Sequence, residues 1–383
     1  MKIIFNQVFA SVSFSHFIVD AMNGQRTIFL TYMVVLFGMN NSALALYTTI
    51  AIVSAAMAQP IFGYVADRLG PRWVVAGGVI WMSIFFTAAM LIPGKLSLLF
   101  FILAHLGSGA FHSAGSMSAT LVGRSLLAGR EATAASLFFL FGQLGYFLGP
   151  VAGGRIIDGA GPSGLLVISI PALIIGIFAA VNLGKKDVLN LDLLRSVAVP
   201  PNKKVRLIPI LGLVIVAACQ AWSQQNIIVF LPKYLSDQGF TAGVYGIMAA
   251  LFSAGSAIGG VIGAGLADRF GRRLMIFLSM LLAAFPLFFI STTSYSIWLY
   301  GLVILGGLLT GGAFSIIVVI AQRLVPVGMG LASGLVLGFI FSSGALGTML
   351  TGMIADRSGI PLVFVVNAAI AAVGGIAALL IQE

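Results

Sequence analysis

The sequence predicts an all-α membrane protein whose twelve transmembrane helices form two six-helix, pseudo-symmetric halves. Three observations lead to this fold class. The composition is strongly apolar, the apolar residues fall into stretches of membrane-spanning length, and a charged motif recurs about two hundred residues after its first appearance.

The composition excludes a water-soluble protein. Of the 383 residues, 60% are hydrophobic and 8% are charged, and the mean hydropathy is +1.12, whereas soluble domains carry about 25% charged residues. The net charge of +10 does not indicate nucleic-acid binding, because the basic residues are scattered between apolar segments instead of forming one stripe. Cys219 is the only cysteine, so no internal disulfide can form.

Apolar stretches follow one another almost without interruption. A stretch of about 20 residues can cross a hydrocarbon layer about 30 Å thick. The first stretch, from about Phe5 to Phe37, is too long for a signal peptide and contains Asp20 and Arg26, so we expect it to remain as the first span. The predicted spans are 6–37, 42–66, 73–93, 96–122, 130–157, 163–184, 207–235, 241–267, 273–292, 295–323, 327–355 and 360–381.

These spans divide into an N-terminal bundle, 1–184, and a C-terminal bundle, 207–383, joined by a charged linker, 185–206, that contains Pro200-Pro201. The chain has 20 basic residues. All but five fall on one side of the predicted membrane, which the positive-inside rule identifies as cytoplasmic. We therefore expect a protein of the cell (inner) membrane with a cytoplasmic linker and both termini in the cytoplasm. The five exceptions are Arg26, Lys95, Arg155, Lys233 and Arg357.

A charged motif after the second span recurs after the eighth. Residues 67–72, Asp-Arg-Leu-Gly-Pro-Arg, match residues 268–273, Asp-Arg-Phe-Gly-Arg-Arg, 201 positions later. A second pair, 153–158 and 352–356, ends the fifth and eleventh spans. The repeats indicate two halves of parallel sense, with a substrate site near the middle of the membrane between them.

The segment from Gly63 to Arg72 resembles the loop 2–3 signature of the major facilitator superfamily, G-x-x-x-D-R-x-G-x-R. The resemblance implies the major facilitator fold. The glycine would let two helices approach closely, while the carboxylate and guanidinium would tie helix ends together in one access state. The alternative is a basic loop that only follows the positive-inside rule. In the second copy, Ala264 replaces Gly63 between Gly263 and Gly265. The predicted gating residues are Gly63, Asp67, Arg68, Gly70, Arg72, Asp268, Arg269 and Arg273.

In the fifth span, a run of small residues resembles the antiporter motif of proton-coupled drug exporters, although Ser136 stands where an earlier glycine is usual. Small residues one turn apart give a flat helix face, and a proline removes a backbone donor. The alternative is the general richness of transmembrane helices in Gly and Pro. The motif residues are Gly145, Gly149, Pro150, Gly153 and Gly154.

Asp20 is the only one of the ten acids that falls deep inside a predicted span. A carboxylate is costly there unless it is paired or hydrated, which makes it a functional candidate. His16 lies four residues away on the same helix face, and a rise of about 1.5 Å per residue places His112 at a similar depth. An imidazole beside a carboxylate is suited to proton transfer. Asp20, His16 and His112 are therefore the predicted proton-coupling residues; the alternative is structural hydrogen bonding between helices.

A closer resemblance covers nearly the whole chain. Residues 14–20, 59–64, 107–112 and the tract from Gln322 to Asp356 resemble the fosmidomycin-resistance subfamily of drug exporters. That family normally has Pro-Glu after the fourth-span histidine, whereas Ser113-Ala114 follows His112 here. The missing glutamate removes a second membrane carboxylate and leaves the proton stoichiometry and drug specificity open.

Other polar residues inside spans are predicted to line the substrate cavity. Arg26 would attract an anionic substrate, gate the outer mouth or snorkel outward; it lies about 120° around the helix from Asp20, so a direct pair is not expected. His105 has a structural hydrogen bond as its alternative, and the seventh-span amides have helix-to-helix hydrogen bonding as theirs. The predicted cavity residues are Arg26, His105, Gln143, Gln220, Trp222, Gln224, Gln225 and Asn226.

The leading hypothesis is a proton-coupled exporter of a small drug-like, anionic or amphiphilic compound that works by alternating access. The alternatives are a proton-linked or passive importer of a metabolite or lipid, and a transporter-like sensor that moves nothing. No G-x-x-x-x-G-K-[ST] loop occurs, so an ion gradient is the expected energy source. We expect no enzymatic activity, cofactor or metal site, and a monomer whose partners are the lipid bilayer, protons and a small-molecule substrate, not nucleic acid.

Overall fold

The computed structural model describes residues 5–126, 131–184, 207–324 and 329–381. Within these ranges every regular element is a helix, including short 3₁₀ turns at Pro162–Leu165 and Ala378–Leu380. The predicted linker, 185–206, lies outside the described residues. The α-helices are α1 (Gln7–Gly24), α2 (Arg26–Leu36), α3 (Asn41–Leu69), α4 (Arg72–Leu91), α5 (Leu96–Leu126), α6 (Glu131–Ala160), α7 (Leu166–Asn182), α8 (Leu207–Asp237), α9 (Ala242–Phe270), α10 (Arg272–Ile290), α11 (Ile297–Leu324), α12 (Met329–Ser358) and α13 (Ile360–Ala377).

Eleven helical segments in the described residues are long and apolar enough to cross a membrane. They correspond to the second through twelfth predicted spans. The first predicted span consists of two consecutive helices, α1 and α2, which meet at Gln25. The side chain of Asn6 caps α1 by accepting hydrogen bonds from the amides of Val8 and Phe9, at 3.0 and 3.1 Å. The predicted all-α membrane fold is confirmed.

The internal duplication is visible in the backbone. Helices α3 and α9 begin and end 201 residues apart, at Asn41 and Ala242 and at Leu69 and Phe270. Each is followed by a glycine with positive φ, Gly70 at 88° and Gly271 at 92°. The amide of Gly70 donates to the carbonyl of Ala66, and that of Gly271 to the carbonyl of Ala267, both at 3.0 Å and four residues back. Only glycine adopts this conformation without strain, so the same residue ends the same helix in both halves.

Two further pairs of glycines repeat this feature. Gly38 and Gly239 have φ of 60° and 85°, and Gly161 and Gly359 have φ of 65° and 83°. Gly161 follows α6 and Gly359 follows α12, where their amides bond to carbonyls four residues back, at 2.9 and 3.0 Å. The pseudo-symmetry therefore extends to both ends of the repeated helices.

Backbone contacts group the described helices into two compact units. The first contains α1, α4–α7, α3 from Ile50 onward and the beginning of α12 up to Gly338. The second contains α2 from Thr27 onward, the beginning of α3 up to Thr49, α8–α11, the rest of α12 and α13, whereas Arg26 belongs to the first unit. The division of the chain into bundles 1–184 and 207–383 remains a sequence-based prediction.

In the first unit, α1 packs against α5, α6 and α7, and α4 packs against α5 and α7. Glycines allow these helices to approach closely: a Cβ added to Gly107 of α5 would lie 2.4 Å from the carbonyl oxygen of Gly78 in α4. In the second unit, α9 and α11 approach in the same way, and a Cβ on Gly259 would lie 1.9 Å from the carbonyl oxygen of Leu308. Such small-residue contacts are typical of transmembrane helix packing.

Candidate functional site

Two helices of the first unit bring the three predicted proton-coupling residues together. The two carboxylate oxygens of Asp20 each face one imidazole: Oδ2 lies 3.1 Å from Nε2 of His16, and Oδ1 lies 3.0 Å from Nε2 of His112. The side chains of His16 and Asp20 are 3% and 13% exposed, and that of His112 is 21% exposed. We call these three residues the triad.

The other ring nitrogen of each histidine is fixed by a backbone carbonyl. Nδ1 of His16 lies 2.8 Å from the carbonyl oxygen of Phe138 in α6, and Nδ1 of His112 lies 2.8 Å from the carbonyl oxygen of Ser108. A carbonyl oxygen only accepts, so both Nδ1 atoms must carry the hydrogen. A neutral imidazole of this tautomer presents a lone pair at Nε2, facing a carboxylate oxygen that is also an acceptor. Each Nε2···O contact therefore requires an additional proton.

Asn23 connects the triad to α5. Its Nδ2 donates to Oδ1 of Asp20 and to Oγ of Ser108, both at 2.9 Å. Asn23 lies three residues from Asp20, so the two side chains share a helix face. The sequence reasoning did not identify Asn23 or Ser108 as site residues, although the spacing of Asn23 from Asp20 was a usable signal.

The glycines of the fifth span place the backbone of α6 against the triad. A Cβ on Gly145 would lie 2.0 Å from the carbonyl oxygen of Phe17, and one on Gly149 would lie 2.2 Å from that of Ala21. One turn earlier, a Cβ on Gly142 would lie 2.4 Å from the His16 ring and 2.7 Å from Oδ2 of Asp20. The antiporter-like motif therefore acts as a helix-packing surface whose effect is to hold the triad in place, and Gly142 extends it.

The remaining motif residues contact the end of α1. The ring of Pro150 would lie 2.9 Å from a Cβ on Gly24, and a Cβ on Gly153 would lie 2.8 Å from Cγ of Gln25. Gly154 is buried. The close contact between α1 and α6 thus extends from the triad to the interruption of the first span.

A second polar group lies around that interruption. The side chains of Arg26 and His105 are 7% and 1% exposed, and Gln25 is fully buried. Nδ1 of His105 lies 2.9 Å from the carbonyl oxygen of Phe101. Nε of Arg26, Nε2 of His105 and both amide atoms of Gln25 have no hydrogen-bond partner among the described residues. As expected, the described contacts of Asp20 do not include Arg26.

The seventh-span polar residues, on α8, divide into two sets. Gln220 donates to the carbonyl of Thr310 at 3.2 Å, Gln224 donates to Oγ of Ser256 at 2.7 Å, and Asn226 is fully buried in a network with other helices. These three make the helix-to-helix hydrogen bonds that were the structural alternative. By contrast, Nε1 of Trp222 and Nε2 of Gln225 are buried without a described partner. Gln143 is exposed and lies on a different side of α6 from the triad-facing glycines.

The predicted gating residues make mostly local contacts. Nε of Arg72 donates to the carbonyl of Ala180 at 2.8 Å, and its guanidinium lies 4.3 Å from the centre of the Trp73 ring, so it ties the start of α4 to the end of α7. The guanidinium of Arg68 lies 5.1 Å from the centre of the Tyr64 ring, and that of Arg269 lies 5.2 Å from the Phe270 ring.

The other gating positions are described mainly by their burial. Gly63 and Gly70 are buried, Asp67 is half-buried, and Asp268 and Arg273 are exposed. In the second copy of the motif, Gly263 makes the close helix contact, because a Cβ there would lie 2.5 Å from the carbonyl oxygen of Gly312, whereas Gly265 faces open space. In the second copy, the close contact is therefore made one residue before Ala264, the position equivalent to Gly63.

The donor atoms of the triad lie within 4.8 Å of one another, a grouping that transition-metal sites also use. The Nε2···O separations are ordinary hydrogen-bond lengths. The expectation that the chain has no metal site stays a prediction.

Apolar helices of membrane-spanning length, a duplicated backbone and ionisable groups buried within a span define a multi-pass membrane transporter. The chain belongs to the Major Facilitator Superfamily, whose family model matches residues 11–204 and 213–383. The members of this family are transporters, not enzymes.

Individual relatives agree with this assignment. The chain is 28% identical over 378 residues to the fosmidomycin resistance protein of Escherichia coli K12, which covers 93% of this chain and 88% of the relative. The fold of this chain matches that of a bacterial homologue of the human lysosomal transporter spinster, solved in an inward-facing and occupied conformation. The TM-score is 0.79 and the identity 13%, and the match covers 98% of this chain and 96% of the homologue. It also matches the nucleoside transporter NupG, with a TM-score of 0.72, 14% identity and coverage of 98% and 100%.

Proposed function

We propose that this protein is a proton-coupled secondary transporter that exports a small organic compound, with Asp20, His16 and His112 as the proton-binding residues. The observation that carries this proposal is the orientation of the two imidazoles. Because both Nδ1 atoms donate to backbone carbonyls, the two contacts to Asp20 form only when protons are bound.

Loss of these protons would leave lone pairs opposed at about hydrogen-bond distance. The contact between Asp20 and His112 joins α1 to α5, and the bond from His16 to the carbonyl of Phe138 joins α1 to α6. Deprotonation therefore favours a rearrangement at the centre of the first unit. A shift between two such arrangements is what alternating access requires.

Two Nε2···O contacts provide places for two protons. This count does not depend on the glutamate that the fosmidomycin-resistance family has after the fourth-span histidine and that Ser113-Ala114 replaces here. The triad would therefore supply proton coupling with one carboxylate and two imidazoles.

Export is supported by the similarity over most of the chain to a resistance protein. The proposed setting is the cell (inner) membrane with both termini cytoplasmic, because most Lys and Arg residues fall on one side of the spans. A monomer is proposed as the working unit. The second candidate is import of a small metabolite, favoured by the buried, unpartnered Nε of Arg26. The structures of the bacterial spinster homologue and of NupG share the fold at 13% and 14% identity, so they do not distinguish between substrates.

The test is a variant in which Asp20→Asn removes the titrating carboxylate. In proteoliposomes with an imposed pH gradient, the wild type should accumulate or expel members of a compound panel that includes fosmidomycin and nucleosides. Asp20→Asn should abolish the gradient dependence, a loss of at least about a hundredfold, comparable with removing a general acid or base. Asp158→Asn, which changes an exposed carboxylate at the end of α6, is the control and should retain it. Undiminished gradient-driven transport by Asp20→Asn would refute the proposal.

A further inference from the structure

The triad offers donor atoms of the kinds that bind first-row transition metals, two imidazole nitrogens and a carboxylate oxygen. One donor atom from each residue lies within 4.8 Å of the other two. Nε2 of His16 and Nε2 of His112 each lie opposite an oxygen of Asp20, at 3.1 and 3.0 Å. Two ligands that are each about 2.0–2.1 Å from one ion are separated by about 2.9 Å at right angles and about 3.3 Å at the tetrahedral angle. Both measured separations therefore fit a set of metal ligands as well as a set of hydrogen bonds.

The orientation of these groups is fixed in the way that is usual for metal ligands. A metal-binding histidine donates its other ring N–H to a carbonyl or a carboxylate, which aims the second nitrogen at the ion. Nδ1 of His16 faces the carbonyl oxygen of Phe138 at 2.8 Å. Nδ1 of His112 faces that of Ser108 at the same distance. Nδ2 of Asn23 donates to the carboxylate of the triad, so all three groups already have the outer-shell partners that a metal site needs.

The access to the triad and its charge both suit a divalent ion. The side chains of His112 and Asp20 are 21% and 13% exposed, so one side of the triad can receive an ion and a water ligand. The carboxylate with two protonated imidazoles carries the same net charge as the carboxylate with two neutral imidazoles and one divalent cation. The ion would therefore replace the protons of the proposed function without adding uncompensated charge inside the membrane.

We infer that the triad is a regulatory site for a divalent transition-metal ion such as Zn²⁺, with His16, Asp20 and His112 as its ligands. Imidazole nitrogens together with a carboxylate favour Zn²⁺, Co²⁺ and Ni²⁺ over Mg²⁺ and Ca²⁺, which take oxygen ligands. The inference goes against the sequence-based prediction that the chain has no metal site. In the sequence His112 is 92 residues from Asp20, a separation that no short metal-binding motif shows, and only the packing of α1 against α5 joins the ligands.

Binding of the ion would inhibit transport, and this part of the inference rests on the proposed function. Protons and the ion require the same Nε2 lone pairs and the same carboxylate oxygens. A bound ion would hold α1 against α5 in the arrangement that otherwise depends on protons, and release of protons would no longer change that arrangement. Transport driven by a pH gradient would therefore stop for as long as the ion is bound.

Binding is tested without a membrane gradient. Purified protein without a polyhistidine tag, in nanodiscs of phosphatidylcholine, is titrated with Co²⁺, whose visible absorption reports its ligands. We expect one ion per chain, displaced by Zn²⁺ and not by Mg²⁺, and a higher Tm in the presence of Zn²⁺. Asn23→Leu removes an outer-shell partner and should weaken Co²⁺ binding about tenfold. His16→Gln and His112→Gln remove a ligand and should each weaken it by at least about a hundredfold, because loss of an outer-shell partner alone costs about 10- to 100-fold.

His105→Gln is the matched control, because it makes the same change on the same helix as His112→Gln, at a histidine outside the triad. Its Co²⁺ affinity should equal that of the wild type. If one of the two triad histidine variants does not fold, the other one and Asn23→Leu decide the outcome. The metal site is overturned if the wild type does not bind Co²⁺, if the folded triad variants bind as tightly as the wild type, or if His105→Gln loses binding as they do.

Inhibition is tested in proteoliposomes of the wild type. Zn²⁺ should abolish transport driven by a pH gradient, a chelator should restore it, and Mg²⁺ at the same concentration should have no effect. Undiminished transport with bound Zn²⁺, or accumulation of Zn²⁺ inside the vesicles as cargo, would overturn the regulatory role.

These outcomes are separate from that of the proposed function. If Asp20→Asn abolishes coupling while the wild type binds no Co²⁺, the proton mechanism stands and the metal site falls. If Co²⁺ binds to the triad while Asp20→Asn still couples, the metal site stands and the proton mechanism falls.

Discussion

The two units use polar side chains in their interiors for different purposes. In the first, the hydrogen bonds among Asp20, His16 and His112 depend on bound protons. In the second, Asn226 donates to Oδ1 of Asn367 at 3.2 Å and accepts from Thr351 at 2.7 Å. Amide and hydroxyl groups do not titrate, so this second network has the same hydrogen bonds at any physiological pH.

This difference indicates a division of labour. Under the proposed function, energy from a proton gradient would enter where protonation changes a contact, as it does at the triad. The network of Asn226, Asn367 and Thr351 holds α8, α12 and α13 together instead. The predictions that follow test this difference between the triad and the network of Asn226, beginning with the largest expected effect.

The first prediction concerns the glycine surface of α6. In Gly145→Ala, the new Cβ would lie 2.0 Å from the carbonyl oxygen of Phe17, and a backbone atom cannot move aside as a flexible side chain can. We expect α6 to separate from α1, with a loss of up to about 3 kcal/mol in stability. The bond from His16 to the Phe138 carbonyl would break, so proton uptake by the triad should fall as well.

Gly159→Ala is the control, because it changes a glycine of the same helix whose added Cβ would have no neighbour within 4 Å. Its stability should equal or slightly exceed that of the wild type, since alanine is the better helix former. The Tm of each variant in detergent and proton uptake measured with a pH-sensitive dye are the readouts. Equal stability of Gly145→Ala and Gly159→Ala would show that the close approach of α6 does not hold the triad together.

The sequence predicts the fold and the triad because both depend on regular spacing. The apolar segments give the spans, the motif at Asp67 and Asp268 gives the duplication, and a rise of about 1.5 Å per residue brings His16, Asp20 and His112 to similar depths. The same spacing argument correctly separates Arg26 from Asp20.

Other site features depend on which neighbour a side chain meets, and helix periodicity does not supply that information. The seventh span carries four amide side chains that the sequence does not distinguish. Three of them hydrogen-bond to other helices, Gln220, Gln224 and Asn226, whereas Nε2 of Gln225 has no partner among the described residues. The interruption of the first span at Gln25 lies between Gly24 and Arg26, at the point where Gly24 packs against Pro150 of α6.

The second prediction counts protons. In His112→Gln, the amide can donate a permanent hydrogen bond to Asp20, so this contact no longer requires a proton, while the contact of Asp20 with His16 still does. We expect proton uptake per protein, titrated between about pH 4 and pH 9 with a pH-sensitive dye, to fall by one. The control is His105→Gln, which changes a histidine outside the triad and should leave the proton-dependent contacts of the triad intact. Uptake in His112→Gln equal to that of the wild type would contradict the assignment of a proton to this contact.

The third prediction replaces one asparagine by leucine in each of the two units. Asn226→Leu removes hydrogen bonds to Asn367 and Thr351, and Asn23→Leu removes hydrogen bonds to Asp20 and Ser108. Interhelical hydrogen bonds in membrane proteins contribute about 0.6 kcal/mol each on average, so each variant should lose roughly 1 kcal/mol.

Only Asn23→Leu should change proton binding, because only its acceptor is a group that titrates. An amide N–H donated to Asp20 stabilises the carboxylate over the carboxylic acid, and its removal should move the proton-uptake curve to higher pH. Asn226→Leu should give the wild-type curve with a lower Tm. If both variants shift the curve equally, protonation of the triad depends on the whole fold and the two units do not differ in the way described. If neither shifts it, the hydrogen bond from Asn23 does not act on the charge of Asp20.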